Sequence, residues 1–386
     1  MKILIDINHP AHVHYFRNFI KIMEDKGHSF KVINRDSPMI NNLLDYYNID
    51  HVVRNPRPKK KGTVASLLNL AKMIFACLKE SISFKPDMYL GFASSACAIT
   101  SAIFGKPCIL LDDTEHNAMN HKIYLKFCSC VLTPFYFKKN LGKKQLYFNA
   151  FVEQLYLHSS VYTPQTDVLR ELGIRNNEYV LVRYISYDAH HDLVAKPLSD
   201  IDKRLIVENL SKKSCVLVSH ESSPNPYKEF ALKIRPEQMH DVEANAKFMI
   251  TEGATMASEA FVLGVPYIYI NPLHVGNTII QASTFPEIAM NSTDEFEIKK
   301  YIEKLEKKDT EETAYAIKKR LEQSTINPTA FLVWFVENYP QSEDIIRNNP
   351  RYMEHFMASQ STYDKDATSI DSIHWNTGSK INPNNI

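Results

Sequence analysis

The residues whose types and spacing best suit chemistry lie between 251 and 272, in TEGATMASEAFVLGVPYIYINP. Glycine is scarce, 10 in 386 residues, yet Gly253 and Gly264 bracket this one short segment. The strand AKFMIT runs into Glu252-Gly253, and a helix is predicted to begin near Thr255. A glycine at such a turn admits an unusual backbone angle and the close approach of a ligand. The first free N–H groups, around Ala254, Thr255 and Met256, carry the positive end of the helix dipole, which suits an anion such as a diphosphate. Glu259 lies four residues after Thr255 on the same helical face, with Ser258 beside it. A carboxylate one turn inside the helix can accept hydrogen bonds from two vicinal hydroxyls, as a ribose presents them. Gly264 and Pro266 end the helix and start the next strand. The same residues also suit a plain surface helix with Thr255 as its cap and Glu259 in solvent.

Other groups of reactive side chains fall at what read as strand ends. NHPAHVHYF (8–16) places His9, His12 and His14 within six residues. A helix following Ala11 would turn His12 and His14 apart by roughly 200°, too far to converge on one metal ion. DDTEH (112–116) sets Asp112, Asp113, Glu115 and His116 after the apolar run PCILL. RYISYDAHHD (183–192) offers Arg183, which can grip a phosphate bidentately or form a structural ion pair, followed by Asp188, His190, His191 and Asp192. PEQMHD (236–241) brings Met239 and His240 ahead of the strand that feeds the glycine-bracketed helix.

The elements that must position these groups follow from periodicity. KILIDI, SFKVINR, HVVR, DMYLGF, PCILLDD and CVLTP read as strands alternating with amphipathic helices, the signature of a parallel sheet covered on both faces. The alternation breaks near 150–165 and resumes with EYVLVRYIS, CVLVSH, AKFMIT and PYIYIN, with ALKI as a further strand candidate. This predicts an α/β chain of two doubly wound domains, 1–155 and 156–345, then a helix and polar tail over 346–386. Ligands of such folds bind where strands end and helices begin, and every group above sits at such a place.

Composition narrows the partners. Lys and Arg number 45 against 44 Asp and Glu, so the formal charge of +1 exerts no global pull on nucleic acid. No RNA-binding or helix-turn-helix signature accompanies the basic runs RNPRPKKKG (54–62) and KKNLGKK (138–144), and no nucleic-acid partner is expected. The six cysteines form no CxxC pair and have mostly apolar neighbours, which reads as reduced, buried thiols of a cytoplasmic protein. The helix VASLLNLAKMIFACL (64–78) falls short of the ~18 apolar residues that a membrane span needs. With the basic run before it, the segment 54–78 reads either as solvated loop and helix or as a peripheral contact with the inner face of a membrane.

EAFVLGVP (259–266) resembles the EAxxxGxP end of the nucleotide-sugar helix in GT-B glycosyltransferases and nonhydrolysing UDP-N-acetylglucosamine 2-epimerases. HPAHVHYF, DDTEH, NLGKKQLYFNAF, VRYISYDAHHD and PEQMHD stand in the order of one family of that superfamily, catalogued only as a domain of unknown function. The resemblance implies a GT-B-like fold, with two Rossmann-like domains facing a cleft. It implies nucleotide-sugar contacts at Arg183, Asp188, His190, Met239, His240, Gly253, Ala254, Thr255, Met256, Ser258 and Glu259. PAHVHY also looks like the GGHVFP loop of the lipid-linked N-acetylglucosamine transferase of peptidoglycan synthesis, with His12 on its histidine and Pro10 and Ala11 in place of its glycines. His12, Glu115 and Asp113 become the candidate catalytic groups, with His12 as base toward an acceptor hydroxyl.

Three functions follow as expectations. The first is metal-independent transfer of a sugar, UDP-linked, to a glycan or lipid-linked acceptor in surface-polysaccharide synthesis. No DxD stands at a strand end with further ligands, and no cofactor beyond the nucleotide-sugar is expected. The second is a 2-epimerase, although the loop after the fourth strand, GFASSACA, lacks the acid that epimerases carry there. The third is a nucleotide-sugar-binding protein without catalysis.

Overall fold

The computed structural model describes residues 1–54, 63–185, 197–221, 225–273, 275–307 and 310–357. The expectations for Asp188, His190, most of the basic run before 63 and the tail beyond 357 lie outside these residues. Two compact units are present, one built from Met1–Tyr156 with Thr325–Ala358 and the other centred on Leu157–Ser324.

The first unit holds seven strands: β1 (Lys2–Ile7), β2 (Ser29–Arg35), β3 (His51–Arg54), β4 (Met88–Phe92), β5 (Cys108–Leu111), β6 (Cys130–Pro134) and β7 (Gln145–Phe148). All pair in parallel in the order β3-β2-β1-β4-β5-β6-β7. Ile3, Leu4, Ile5, Tyr89, Leu90, Ile109 and Leu110 are fully buried, because helices cover both faces of the sheet and both alternations of each strand must be apolar. Strand order reverses between β1 and β4, which places this unit's switch point at their carboxyl ends. A Cβ at Gly91 in β4 would stand 2.8 Å from Ser94 Cβ, so the strand takes glycine where the chain folds back. Ser94 then caps the helix Ser95–Phe104 by accepting from Cys97 N.

The second unit holds β8 (Tyr179–Tyr184), β9 (Cys215–His220), β10 (Phe248–Thr251), β11 (Tyr267–Tyr269) and β12 (Ala289–Asn291), parallel in the order β12-β11-β10-β8-β9. Its switch point lies between β8 and β10. Val180, Val182, Phe248, Ile250 and Ile268 form the centre of its core. Each unit is a Rossmann-like α/β domain, in agreement with the alternation of strands and helices in the sequence. The segment ALKI makes only an isolated bridge, Ala231 to Val218, rather than a strand.

The domain boundary differs from the sequence-based one. The second domain was expected to run to 345, whereas Thr325–Ala358 groups with the first unit. The Gln154 side-chain amide donates to Thr325 Oγ1 at 2.8 Å, Ile326 N to Asn149 O at 2.9 Å, and Thr329 Oγ1 to Leu155 O at 2.7 Å. The helix Pro328–Glu337 is apolar nearly all round and buries Phe331, Leu332, Phe335 and Val336. Such a helix must be covered on several sides, and it packs along the helix Pro10–Asp25 of the first unit. Five cysteines are buried thiols as expected, and Cys215 is exposed.

Candidate functional site

At the switch point of the second unit, Glu252 ties three strands together. Its carboxylate is fully buried, with Oε1 at 2.6 Å from Lys203 Nζ and Oε2 accepting from Ile185 N at 3.1 Å. Its own N–H donates to Arg183 O, and its carbonyl accepts from Asn271 Nδ2. The ends of β8 and β10 and the chain after β11 are therefore fastened at one point, directly before the helix Ala254–Leu263.

That helix begins without a capping side chain, and its first main-chain bond runs from Ala257 N to Gly253 O. The N–H groups of Ala254, Thr255 and Met256 thus have no acceptor from the helix itself. These residues and Gly253 are partly exposed. Gly253 adopts φ −89° and ψ 119°, an ordinary extended conformation, so the unusual angle expected there is absent. A Cβ at this position would meet only Ile185 Cγ2 and Thr251 Oγ1, each at 3.6 Å. The glycine that the backbone requires is Gly264, at φ +82°.

Ser258 is turned inward. Gln281 Nε2 donates to its hydroxyl at 2.8 Å, and Gln281 Oε1 accepts from Tyr267 OH at 2.8 Å. This buried chain holds the helix to its neighbours and takes Ser258 away from any ligand. Glu259 is buried as well, with Oε1 at 3.1 Å from His240 Nε2. Glu243 stands close by, with both carboxylate oxygens buried and without hydrogen-bond partners among the described residues. Burial and the Glu259 charge push its carboxyl well above the usual carboxylate range. Met239 is half-buried at the start of the helix Met239–Ala244. Arg183 donates to Ser219 Oγ at 2.7 Å and pairs with Glu221, so a phosphate would have to share or displace that carboxylate.

In the first unit, Asp6 at the end of β1 is fully buried and satisfied: it pairs with Arg54 and accepts from Ser94 Oγ at 2.6 Å and Asn8 Nδ2 at 2.7 Å. His9 caps the helix Pro10–Asp25 by accepting from Ala11 N. His14 stacks on Tyr156, so the three histidines divide among separate tasks. The His12 ring packs against Phe92 and Tyr15, with centroids 4.9 and 6.0 Å away. Its Nδ1 accepts from Asn8 N at 3.3 Å, which leaves the proton of the neutral ring on Nε2. Desolvation, then the nearby His9, Arg35 and Arg54, lower its pKa well below 6.5. His12 is thus placed as a neutral hydrogen-bond donor, a weaker base than its residue type implied.

The acidic run after β5 divides its labour too. Asp112 is fully buried, accepting from Tyr124 OH at 2.6 Å and Thr114 N at 2.9 Å. Glu115 Oε1 accepts from Lys138 N at 3.0 Å, which pins it to the neighbouring loop. The Asp113 carboxyl is raised to about 7 by desolvation and then by the Asp112 charge. His12 follows the end of β1 and Asp113 the end of β5 in the same sheet. If Asp113 transfers protons in turnover, rate against pH should inflect near 7, and Asp113→Asn should abolish that inflection while lowering the rate about a hundredfold or more.

Sequence reasoning missed Lys203, Asp6 and Glu243. No local signal marks Lys203, whose partner lies 49 positions on. Asp6 was legible only as part of a strand, although a carboxylate in an apolar run signals a buried partner.

The family model for a protein of unknown function (DUF354) matches residues 1–316. An uncharacterized protein of Methanocaldococcus jannaschii, MJ0665, is 24% identical over 290 residues, 70% of this chain and 82% of that one. Among solved structures, UDP-GlcNAc 2-epimerase from Neisseria meningitidis bound to UDP-GlcNAc aligns with TM-score 0.63 at 13% identity, over 87% of this chain and 99% of its own. The calicheamicin glycosyltransferase CalG4 aligns with TM-score 0.56 at 12% identity, over 88% and 98%. At such identities the likeness is one of fold. The chain belongs to the DUF354 family, on the fold shared by GT-B glycosyltransferases and UDP-GlcNAc 2-epimerases.

Proposed function

We propose that this protein is a GT-B-type glycosyltransferase that takes a sugar from a UDP-linked donor. The observation that carries the reading is the uncapped start of the helix Ala254–Leu263 at a switch point, with Glu259 one turn inside it. The free N–H groups of Ala254, Thr255 and Met256 would hold the diphosphate and stabilise the charge that develops as the sugar leaves. No divalent ion is needed at the diphosphate in this scheme, because the helix dipole and main-chain donors do the neutralising. Glu259 would accept from the ribose hydroxyls, and the chain around Met239 and His240 would lie beside the base. In the first unit, Asp113 would receive the acceptor proton and His12 would donate a hydrogen bond through Nε2.

A second reading, a UDP-sugar 2-epimerase, is supported by the neighbours of that activity and by the near-neutral Asp113, since epimerisation requires removal and return of a proton. The segment Gly91–Ala98 offers no acid to assist, and Ser94 there is committed to Asp6 and a helix cap. Incubation with UDP-sugars, with and without glycan or polyprenyl-linked acceptors, separates the readings. UDP released only with acceptor supports transfer, an isomerised sugar supports epimerisation, and binding without turnover contradicts both.

The acceptor side favours a lipid carrier. The helix Thr63–Phe84 leaves Leu67, Leu68, Phe75 and Ile82 58–69% exposed. At about 100° per residue these four fall within a stripe roughly 100° wide, with the exposed Lys72 and Lys79 along one side. No described helix is long and apolar enough to cross a membrane. The stripe and its lysines match an anionic bilayer surface, with the basic residues Arg57, Lys59, Lys60 and Lys61 just ahead in sequence. The protein is expected to sediment with vesicles containing phosphatidylglycerol and not with pure phosphatidylcholine. Leu68→Ser with Phe75→Ser should release it. Concentration-dependent self-association through this face, with no vesicle binding, would contradict the docking.

A further inference from the structure

At the proposed nucleotide helix lies a buried group of side chains of which one, Glu243, has no part in the proposed sugar transfer. His240 and Glu243 are three residues apart on the helix Met239–Ala244 and so share one face. Glu259 reaches them from the helix Ala254–Leu263. One donor atom from each lies within 4.8 Å of the other two. All three are buried, with Glu243 1%, His240 4% and Glu259 5% exposed.

Glu243 is the informative member. Both its oxygens are sealed from solvent and accept no hydrogen bond among the described residues. Two buried carboxylates and an imidazole therefore converge in the interior. Arg183, whose charge acts on Glu243, pairs with Glu221, and Lys203 pairs with Glu252. An isolated buried carboxylate is costly unless paired or bound to a metal. A proton on Glu243 would cancel its charge but leave one carboxyl oxygen with nothing to accept. A divalent cation resolves both deficits, since it neutralises two carboxylates and takes their lone pairs together with that of the imidazole.

We propose that His240, Glu243 and Glu259 bind a divalent cation of borderline softness, with zinc the leading candidate. A mixed nitrogen and oxygen donor set suits zinc, manganese, iron or cobalt more than calcium or magnesium. Ligands at about 2.1 Å from one ion are at most about 4.2 Å apart, so small side-chain rotations close the set. With three protein ligands a fourth position remains for water. The ion would be a resident of the interior, distinct from any counter-ion of a diphosphate, and it would fix the orientation of the Glu259 carboxylate. This inference does not require that a nucleotide binds.

The test is a metal count. Protein grown with added zinc is assayed by inductively coupled plasma mass spectrometry, and chelator-treated protein is titrated with zinc chloride by calorimetry. About one equivalent is expected, with affinity lowered about a hundredfold or more in Glu243→Gln. Glu243→Gln keeps the side-chain shape and removes a buried charge. Should it fail to fold, Glu259→Gln reads the same site. Cobalt substitution should give a visible spectrum of nitrogen and oxygen ligation that is lost in the variant. Substoichiometric metal in both preparations, or equal affinity in wild type and a folded variant, overturns the proposal. UDP titration of the metal-free protein is scored separately, so failure of the nucleotide reading leaves the metal count standing.

Discussion

Replacing Lys203 by methionine is expected to destabilise the second unit by about 3–5 kcal/mol, the usual loss when one partner of a buried ion pair is removed. Glu252 is wholly buried, and its Oε1 lies 2.6 Å from the ammonium. Methionine preserves much of the lysine stem but takes the ammonium from that carboxylate, whose Oε2 still accepts from the Ile185 N–H. Repair through a protonated Glu252 would surrender charge-assisted bonds that bind the end of β10 to β8. Lys203→Met with Glu252→Leu should recover much of the loss, because an apolar pair of similar volume avoids desolvating two charges. Urea unfolding of the two variants decides the matter. A single-variant loss under about 1 kcal/mol would show that the pair is solvated and that Glu252 does not anchor the site.

Gly264→Val should cost about 3 kcal/mol or more, through two causes that add. The residue sits at φ +82°, where a side chain is strained by roughly 1–2 kcal/mol. Its Cβ would also stand 2.5 Å from the Ala314 carbonyl oxygen and 3.0 Å from the carbonyl carbon, which are backbone atoms that cannot rotate aside. Relief requires the helix Thr310–Ser324 to move away from the end of the helix Ala254–Leu263. Gly253→Ala is the matched control. Its φ is ordinary and its Cβ contacts of 3.6 Å are ordinary packing, so stability should change by under about 1 kcal/mol. Equal losses in the two variants would refute this division of labour. The two bracketing glycines thus answer different needs: Gly264 permits the fold, and Gly253 leaves the helix mouth uncovered.

Much of this architecture was legible in the sequence. Strands such as CILL and YVLVRY announce themselves as apolar runs bounded by turns, and parallel pairing follows from the helices between them. The EAFVLGVP helix was legible because glycine and proline punctuate it. The return of Thr325–Ala358 to the first unit was not, since only three residues separate the polar helix Thr310–Ser324 from the apolar helix Pro328–Glu337 and no linker marks the crossing. Periodicity shows that Pro328–Glu337 must be buried without showing against what. Side-chain roles within the site were the least legible. Ser258 and Glu259 are adjacent, yet one binds Gln281 and the other faces His240, and that choice depends on partners from distant segments. The tuning of Asp113 and His12 depends on desolvation and on Asp112 or Arg54 held nearby, quantities that spacing does not encode.

In the proposed function a nucleotide diphosphate docks on the helix Ala254–Leu263 with Glu259 as its ribose partner. Calorimetric titration of UDP into the wild-type protein and Glu259→Ala tests this most directly. One site per chain is expected in the wild type. The variant should keep its fold and bind about 10–100-fold more weakly, as befits the loss of hydrogen bonds to a charged group. Absence of UDP binding in the wild type, or equal affinity in a folded Glu259→Ala, would contradict the account.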